Sequence, residues 1–258
     1  MIRTGKFTCA LLLAAACAVA AENPFIGKWK LDPSKSQFTG TTFKWEDAGN
    51  GKVRWSSGNE SMTFTTDGKE HPGLYGRMVT VKQIDPKTWE RTTRLKGKVV
   101  ATATDKLSDD GKTLTEEEKG THPDGSSYHE TDTFERVGDG SGFFGTWKTT
   151  KVDTDSSQVM SFAPNGEDGV NWDIPSQHAK CALKFDGKDH PASGPRVPKG
   201  LTLAATKTGD RSFDFVEKIG GKEVYKGNMS VSDDGKTLTS KGSAAGVNEP
   251  TTEVYDKQ

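Results

Sequence analysis

The chain has 258 residues and carries 35 Lys and Arg against 36 Asp and Glu, a formal net charge of −1 at pH 7. This balance provides no basic surface field, so we expect no nucleic-acid partner. Hydrophobic residues make up only 31% of the chain, which argues against a large solid core and, beyond residue 21, against a transmembrane segment.

Residues 1–21 have the pattern of a secretory signal peptide. Arg3 and Lys6 precede the apolar run LLLAAACAVA, and the polar residues ENP follow its small terminal residues. The run is shorter than the about 20 residues that a membrane-spanning helix needs. We therefore expect a periplasmic or secreted mature protein. Cys17 follows three alanines and weakly resembles a bacterial lipid-attachment cysteine. Two alternatives therefore remain, a lipid anchor at Cys17 and export as a soluble protein.

Loss of this segment would leave Cys181 as the one cysteine of the mature chain. One cysteine cannot close an internal disulfide, so the fold must depend on packing and hydrogen bonds. A lone cysteine is more often a small buried residue than a nucleophile, and we expect this of Cys181.

Four short sequences occur twice in the chain, in the same order and about 120 residues apart. This pattern predicts duplication of a domain-sized unit, too long for a solenoid repeat. We assign the first unit to residues 22–137 and the second to residues 143–258, joined at the glycine-rich VGDGSG of 137–142. The paired sequences are FIGKWK (25–30) with FFGTWK (143–148), DGKEHP (67–72) with DGKDHP (186–191), SDDGKTLT (108–115 and 232–239), and TDTFER (131–136) with TEVYDK (252–257).

Each unit has the pattern of short antiparallel strands. In the first unit, segments from TTFKWEDA to SYHETDTFERV alternate with Gly-, Asp- and Pro-rich turns about every 8–12 residues, and no stretch has helical periodicity. The octapeptide SDDGKTLT supplies one hairpin turn. Its aspartates lack the spacing of a calcium loop, and the histidines lack the spacing of a zinc site, so we expect no metal and no cofactor. The acidic run EEE at 116–118 is interpreted as a solvated face.

Two short motifs resemble those of the lipocalin and fatty-acid-binding-protein superfamily, the calycins. They are the Gly-x-Trp that opens each unit (Gly27 to Trp29, Gly145 to Trp147) and the final strand EVYDK at 253–257. The resemblance implies an all-β fold of two tandem antiparallel up-and-down β-barrels, in which each Trp packs across the closed end. It also implies a basic residue of the last strand above each Trp, which here would be Arg136 or Lys257, in a cation–π contact.

The sequence departs from that superfamily at two places. Pro33 follows the first strand directly and leaves no room for the helical lid of the fatty-acid-binding proteins. Their Arg-x-Tyr carboxylate clamp is replaced by Asp132 before Phe134 and by Glu253 before Tyr255. An acid at these positions would repel a fatty acid.

When the two units are aligned on their octapeptide copies, residues at equivalent positions of the two predicted interiors can be compared. Strand alternation puts Phe213, Phe215 and Ile219 on one inward face, which corresponds to Trp89, Arg91 and Leu95 in the first unit. Arg77 and Arg91 then stand where the second unit has Leu201 and Phe215. A buried guanidinium needs a partner, which leaves two interpretations. Arg91 pairs with Asp132 or Glu130, or it anchors an anionic or hydroxyl-bearing small molecule in a polar interior.

The sequence thus favours an exported, monomeric protein that binds a lipophilic or amphipathic small molecule inside a barrel. An envelope scaffold without a small ligand is the alternative. A hydrolase that uses two carboxylates is less favoured, and we assign no catalytic residue. The candidate ligand-binding residues are Arg77, Trp89, Arg91, Asp132, Phe134, Phe213, Phe215 and Tyr255.

Overall fold

The computed structural model describes residues 23–155 and 158–258, so the expected signal peptide (1–21) and Cys17 lie outside the described residues. Strands account for 67% of the structure and helix for 3%, which confirms the all-β prediction. The described strands form two ten-stranded antiparallel sheets, one a closed barrel and the other nearly closed. The described helical segments are three-residue 3-10 turns at Leu74–Gly76 and Pro175–Gln177, and neither could span a bilayer.

The first strand, β1 (Gly27–Leu31), belongs to the barrel that contains most of the second unit. The next ten strands form the nearly closed sheet, which we call barrel 1. They are β2 (Thr42–Asp47), β3 (Lys52–Ser57), β4 (Glu60–Thr65), β5 (Asp67–Pro72), β6 (Arg77–Asp85), β7 (Thr88–Leu95), β8 (Lys98–Leu107), β9 (Thr113–Thr121), β10 (Ser127–Ser141) and β11 (Phe144–Thr154).

The closed sheet, which we call barrel 2, consists of β1 and the last nine strands. These are β12 (Val159–Pro164), β13 (Gly169–Ile174), β14 (Ala179–Lys184), β15 (His190–Ser193), β16 (Leu201–Gly209), β17 (Ser212–Ile219), β18 (Lys222–Val231), β19 (Thr237–Ala244) and β20 (Thr251–Lys257).

The edges of barrel 1 are β4 and β5, and a histidine side chain connects them. The Thr65 N–H donates to His71 Nε2 at 3.2 Å. In barrel 2 the equivalent strands β14 and β15 pair directly, with Cys181 opposite Ala192. The two barrels therefore differ in closure at the same place in the repeat.

The two repeats exchange their first strands. β1 pairs with β12 and β20 of barrel 2, where Trp29 lies opposite Met160 and Lys257. β11, the first strand of the second repeat, pairs with β10 and β2 of barrel 1. Barrel 1 is thus continuous in sequence from 42 to 154, and barrel 2 is closed by the N-terminal strand.

The two predicted units, 22–137 and 143–258, imply one barrel per repeat, and the observed strand pairing differs from this for a local reason. The predicted joint 137–142 lies within the hairpin between β10 and β11, where Ser141 faces Phe144 and Gly140 faces Gly145. A tight hairpin holds consecutive strands side by side in one sheet. β11 is therefore bound to barrel 1, and the open edges of barrel 2 are left for β1.

The predicted cation–π contacts are present, with their partners exchanged between repeats. The guanidinium carbon of Arg136 lies 4.2 Å from the centroid of Trp147, and Lys257 Nζ lies 5.2 Å from that of Trp29. Each basic residue thus covers the Trp of the other repeat, because the last strand of one repeat pairs with the first strand of the other.

The barrels contact each other through equivalent turns. The Asn59 N–H donates to the Ala245 carbonyl at 3.0 Å, and the Asp124 N–H donates to the Ser176 carbonyl at 3.2 Å. In both contacts the turn before the fourth strand of one repeat touches the loop before the last strand of the other. Reciprocal contacts of this kind are typical of a pseudo-twofold arrangement.

Candidate functional site

Barrel 1 contains a cavity of about 550 Å³ that extends to the contact with barrel 2. Its walls combine aromatic rings with charged side chains. The aromatic residues are Phe43, Trp45, Trp55, Tyr75, Tyr128 and Phe134. The charged residues are Arg77, Arg91, Glu116, Glu118, Asp132 and Arg196.

The interior of barrel 2 is filled. Its cavity measures about 90 Å³, and Phe213, Phe215 and Tyr255 are almost completely buried in its apolar core. Cys181 is buried there as well, and burial raises the pKa of its thiol to about 11. The expectation that this cysteine is a small buried residue is confirmed.

Arg91 forms an internal ion pair, but with other partners than we expected. Its Nη2 donates to Glu116 Oε1 at 2.6 Å and to Glu118 Oε2 at 3.3 Å. The expected pairing with Asp132 or Glu130 is wrong.

The strand register explains the choice of partner. Arg91 lies opposite Ala103 of β8, and Ala103 lies opposite Glu118 of β9. Because alanine is small, the guanidinium passes over β8 and reaches the carboxylates of β9 before those of β10.

The interpretation of EEE at 116–118 as a solvated face is also wrong for two of its three residues. Glu117 is exposed, whereas Glu116 and Glu118 line the cavity.

Asp105 lies beside this ion pair and is 1% exposed. Burial raises the pKa of Asp105, and a hydrogen bond links its carboxyl to Glu116. Burial alone would raise the pKa of Glu116 as well, but the charge of Arg91 and hydrogen bonds from Asp105 and Arg91 outweigh it and lower that pKa. These opposite shifts favour a protonated Asp105 beside an ionised Glu116, an arrangement in which Asp105 can donate a hydrogen bond to the Glu116 carboxylate.

Asp132 reaches the cavity from β10. Its Oδ1 is buried and has no hydrogen-bond partner among the described residues. Burial and then the neighbouring charges of Glu130, Glu116 and Glu118 raise the pKa of Asp132 to about 7. Near neutral pH this carboxyl can therefore both donate and accept a hydrogen bond at the cavity wall.

The structure separates the predicted site residues into two groups. Arg77, Arg91, Asp132 and Phe134 line the barrel 1 cavity. The others lie in packed regions: Trp89 stacks on Phe143 with centroids 4.1 Å apart, and Phe213, Phe215 and Tyr255 lie in the barrel 2 core.

Sequence reasoning missed Asp105, Glu116, Glu118, Tyr128 and Arg196. Alternation in KVVATATDKL puts Asp105 on the same inward face as Ala101 and Ala103, and this signal could have found it. Tyr128 donates its hydroxyl hydrogen to Glu118 at 2.7 Å. No strand pattern could have assigned Arg196, since it comes from a loop of barrel 2.

Among the residues that the structure describes, no group of three or more His, Cys, Asp or Glu is arranged to hold a metal ion. Comparison with protein-family models, curated proteins and solved structures finds no match to this chain. The function of the cavity therefore has to be inferred from its own shape and charges.

Proposed function

We propose that this chain is an exported, lipocalin-like protein whose barrel 1 binds an amphipathic small molecule. The observation that carries the proposal is the difference between the two interiors, about 550 Å³ in barrel 1 and about 90 Å³ in barrel 2. Ligand sites commonly measure about 300–1,000 Å³ and combine apolar walls with a few polar groups. Barrel 1 fits that description.

Two features of the sequence support the rest of the proposal. The signal-like residues 1–21 support export to the periplasm or the medium. The Gly-x-Trp motifs, each covered by a basic side chain in an antiparallel barrel, support the lipocalin-like assignment.

The affinity would come mainly from apolar burial. A ligand that buries about 200 Å² of apolar surface against Phe43, Trp45 and Phe134 gains about 5 kcal/mol, less the cost of association. Asp132 offers a hydrogen bond to a hydroxyl or amine group, because its Oδ1 has no partner among the described residues.

The test is a titration of the mature protein with the neutral fluorescent probe N-phenyl-1-naphthylamine. We expect saturable binding with energy transfer from Trp45 and Trp55, which line the cavity. Ala101→Tyr introduces the residue that barrel 2 has at the equivalent position, Tyr225, and should fill part of the cavity. We expect it to weaken binding at least about tenfold.

The matched control is Val99→Tyr, at a position on the same strand that is 52% exposed and does not line the cavity, and it should leave binding unchanged. A folded wild-type protein that binds no probe, or an Ala101→Tyr variant that binds as well as wild type, would contradict the proposal and favour a scaffold role.

A further inference from the structure

Two arginine side chains from different barrels line the barrel 1 cavity. Arg77 begins β6 of barrel 1, and Arg196 lies in the loop 194–200 between β15 and β16 of barrel 2. Both line the cavity, and both are half-buried. Burial lowers the pKa of Arg196, an effect that Tyr128 opposes and the nearby charge of Arg77 reinforces.

Within the described part of the chain, neither arginine is paired with an acid. Among the described residues, no carboxylate oxygen lies within 4.0 Å of the side-chain nitrogens of Arg77 or Arg196. Arg91, deeper in the same cavity, is committed to Glu116 and Glu118. Two partly dehydrated cations that line one cavity without a direct ion pair are unfavourable, and an oxyanion bound by both would relieve this.

The loop that carries Arg196 is specific to barrel 2. The stretch from His190 to Leu201 is about five residues longer than the equivalent stretch from His71 to Arg77. This extra length allows the loop to reach the cavity of the other barrel, which Arg196 lines.

The loop is also held in place. Val197, next to Arg196, lines the small cavity of barrel 2, and its N–H donates to the Gly194 carbonyl at 3.3 Å. Gly194 has a φ of +157° and packs so closely that an added Cβ would lie 2.8 Å from the His178 carbonyl oxygen. Pro195 and Pro198 restrict the backbone on both sides of Arg196. A side chain on a fixed loop loses little entropy on binding.

We propose that Arg77 and Arg196 form one oxyanion site shared by the two barrels, and that the ligand of barrel 1 is an amphipathic anion. Its phosphate, sulfate or carboxylate group lies between the two guanidinium groups, which suit planar, bidentate recognition. Its apolar body extends into the cavity toward Trp45 and Phe134. This inference rests on the proposed binding function, and it adds the ligand's charge, its orientation and the participation of barrel 2.

Two probes with the same aromatic body test the charge requirement. 1-Anilinonaphthalene-8-sulfonate carries a sulfonate that N-phenyl-1-naphthylamine lacks. We expect the wild-type protein to bind the sulfonate at least about tenfold more tightly. Arg196→Gln and Arg77→Gln should each remove most of that difference, while affinity for the neutral probe changes less than about twofold.

Lys199→Gln is the matched control, because Lys199 lies in the same loop but is exposed. It should leave the binding of both probes unchanged. If Lys199→Gln weakens sulfonate binding as much as Arg196→Gln does, the effect is general electrostatic attraction and the shared site is overturned.

The remaining outcomes separate the two proposals. Neutral and sulfonated probes that bind equally well, both lost in Ala101→Tyr, would overturn the oxyanion site and leave the binding function standing. Failure of both probes to bind would overturn the binding function itself. Inorganic phosphate should displace the sulfonate probe only at concentrations about 100-fold higher, and displacement at equal concentration would overturn the amphipathic ligand class.

Discussion

Several inward-facing positions are equivalent in the two barrels, but they carry charged side chains in barrel 1 and apolar or small side chains in barrel 2. Barrel 1 has a buried charged cluster where barrel 2 has apolar or small residues, and its cavity measures about 550 Å³ against about 90 Å³ in barrel 2. Charged groups keep space around them because each needs a partner or water, whereas aromatic rings pack until the space is gone. The equivalent pairs are Arg91 and Phe215, Asp105 and Met229, Glu116 and Ser240, and Glu118 and Gly242.

This difference suggests a division of roles within one duplicated fold. Barrel 2 is closed around a mainly apolar core and supplies the loop that carries Arg196. Barrel 1 keeps buried charges and a cavity, which lower stability and are expected where a protein binds something.

The largest expected effect tests the strand exchange. Trp29→Ala and Trp147→Ala each remove a fully buried indole, at a cost of about 3–5 kcal/mol. Because the first strands are exchanged, Trp29→Ala should reduce hydrogen-exchange protection in residues 159–257, and Trp147→Ala in residues 42–154. Each variant is the control for the other. Loss of protection within the mutated repeat instead would show that the strands do not cross.

The next effect concerns the charged cluster of barrel 1. Arg91→Leu leaves Glu116 and Glu118 buried without their cation, so we expect a loss of about 3 kcal/mol in the free energy of unfolding by urea. The fourfold replacement by the barrel 2 residues (Arg91→Phe, Asp105→Met, Glu116→Ser, Glu118→Gly) should restore most of that loss and reduce probe binding. An Arg91→Leu variant as stable as wild type would show that the ion pair is not structural.

A smaller effect compares the two cation–π contacts. Besides its ring contact, Arg136 donates hydrogen bonds to the Gly111 carbonyl at 2.8 Å and to the Phe144 carbonyl at 2.6 Å. Lys257 makes the ring contact to Trp29 without comparable carbonyl bonds among the described residues. Arg136→Met should therefore cost about 2 kcal/mol and Lys257→Met about 0.5 kcal/mol. Thermal unfolding of both variants measures the difference, and equal losses would mean that the carbonyl bonds add nothing.

The smallest effect depends on pH. The pKa of Asp132 is raised from 3.8 to about 7 in the folded protein, so the unfolded chain loses this proton first and stability falls as the pH rises from about 4 to 7. Asp132→Asn removes that loss. Because solvent screens part of the charge, we expect a gain of about 1 kcal/mol at pH 8 and almost none at pH 4.

Glu117→Gln, on the outer face of β9, is the control for this pH dependence. It should leave the melting temperature nearly unchanged at both pH values. A gain for Asp132→Asn that is equal at pH 4 and pH 8 would contradict the role of the Asp132 proton.

Several features of this protein follow from the sequence by itself. The octapeptide copies and the Gly-x-Trp pairs show the duplication, and strand alternation correctly places Phe213, Phe215 and Trp89 inside. These features are local: a two-residue period and a turn type depend on neighbours in the chain.

Other features were decided only by the tertiary structure. Lys257 covers Trp29 rather than Trp147, Arg91 pairs across Ala103 rather than with Asp132, and Arg196 reaches the cavity of the other barrel. Because the first strands of the two repeats are nearly identical in sequence, either of them could pair with the open edge of either barrel. The choice depends on hairpin geometry, side-chain length and loop reach between segments that are distant in sequence, and these exist only once the chain is folded.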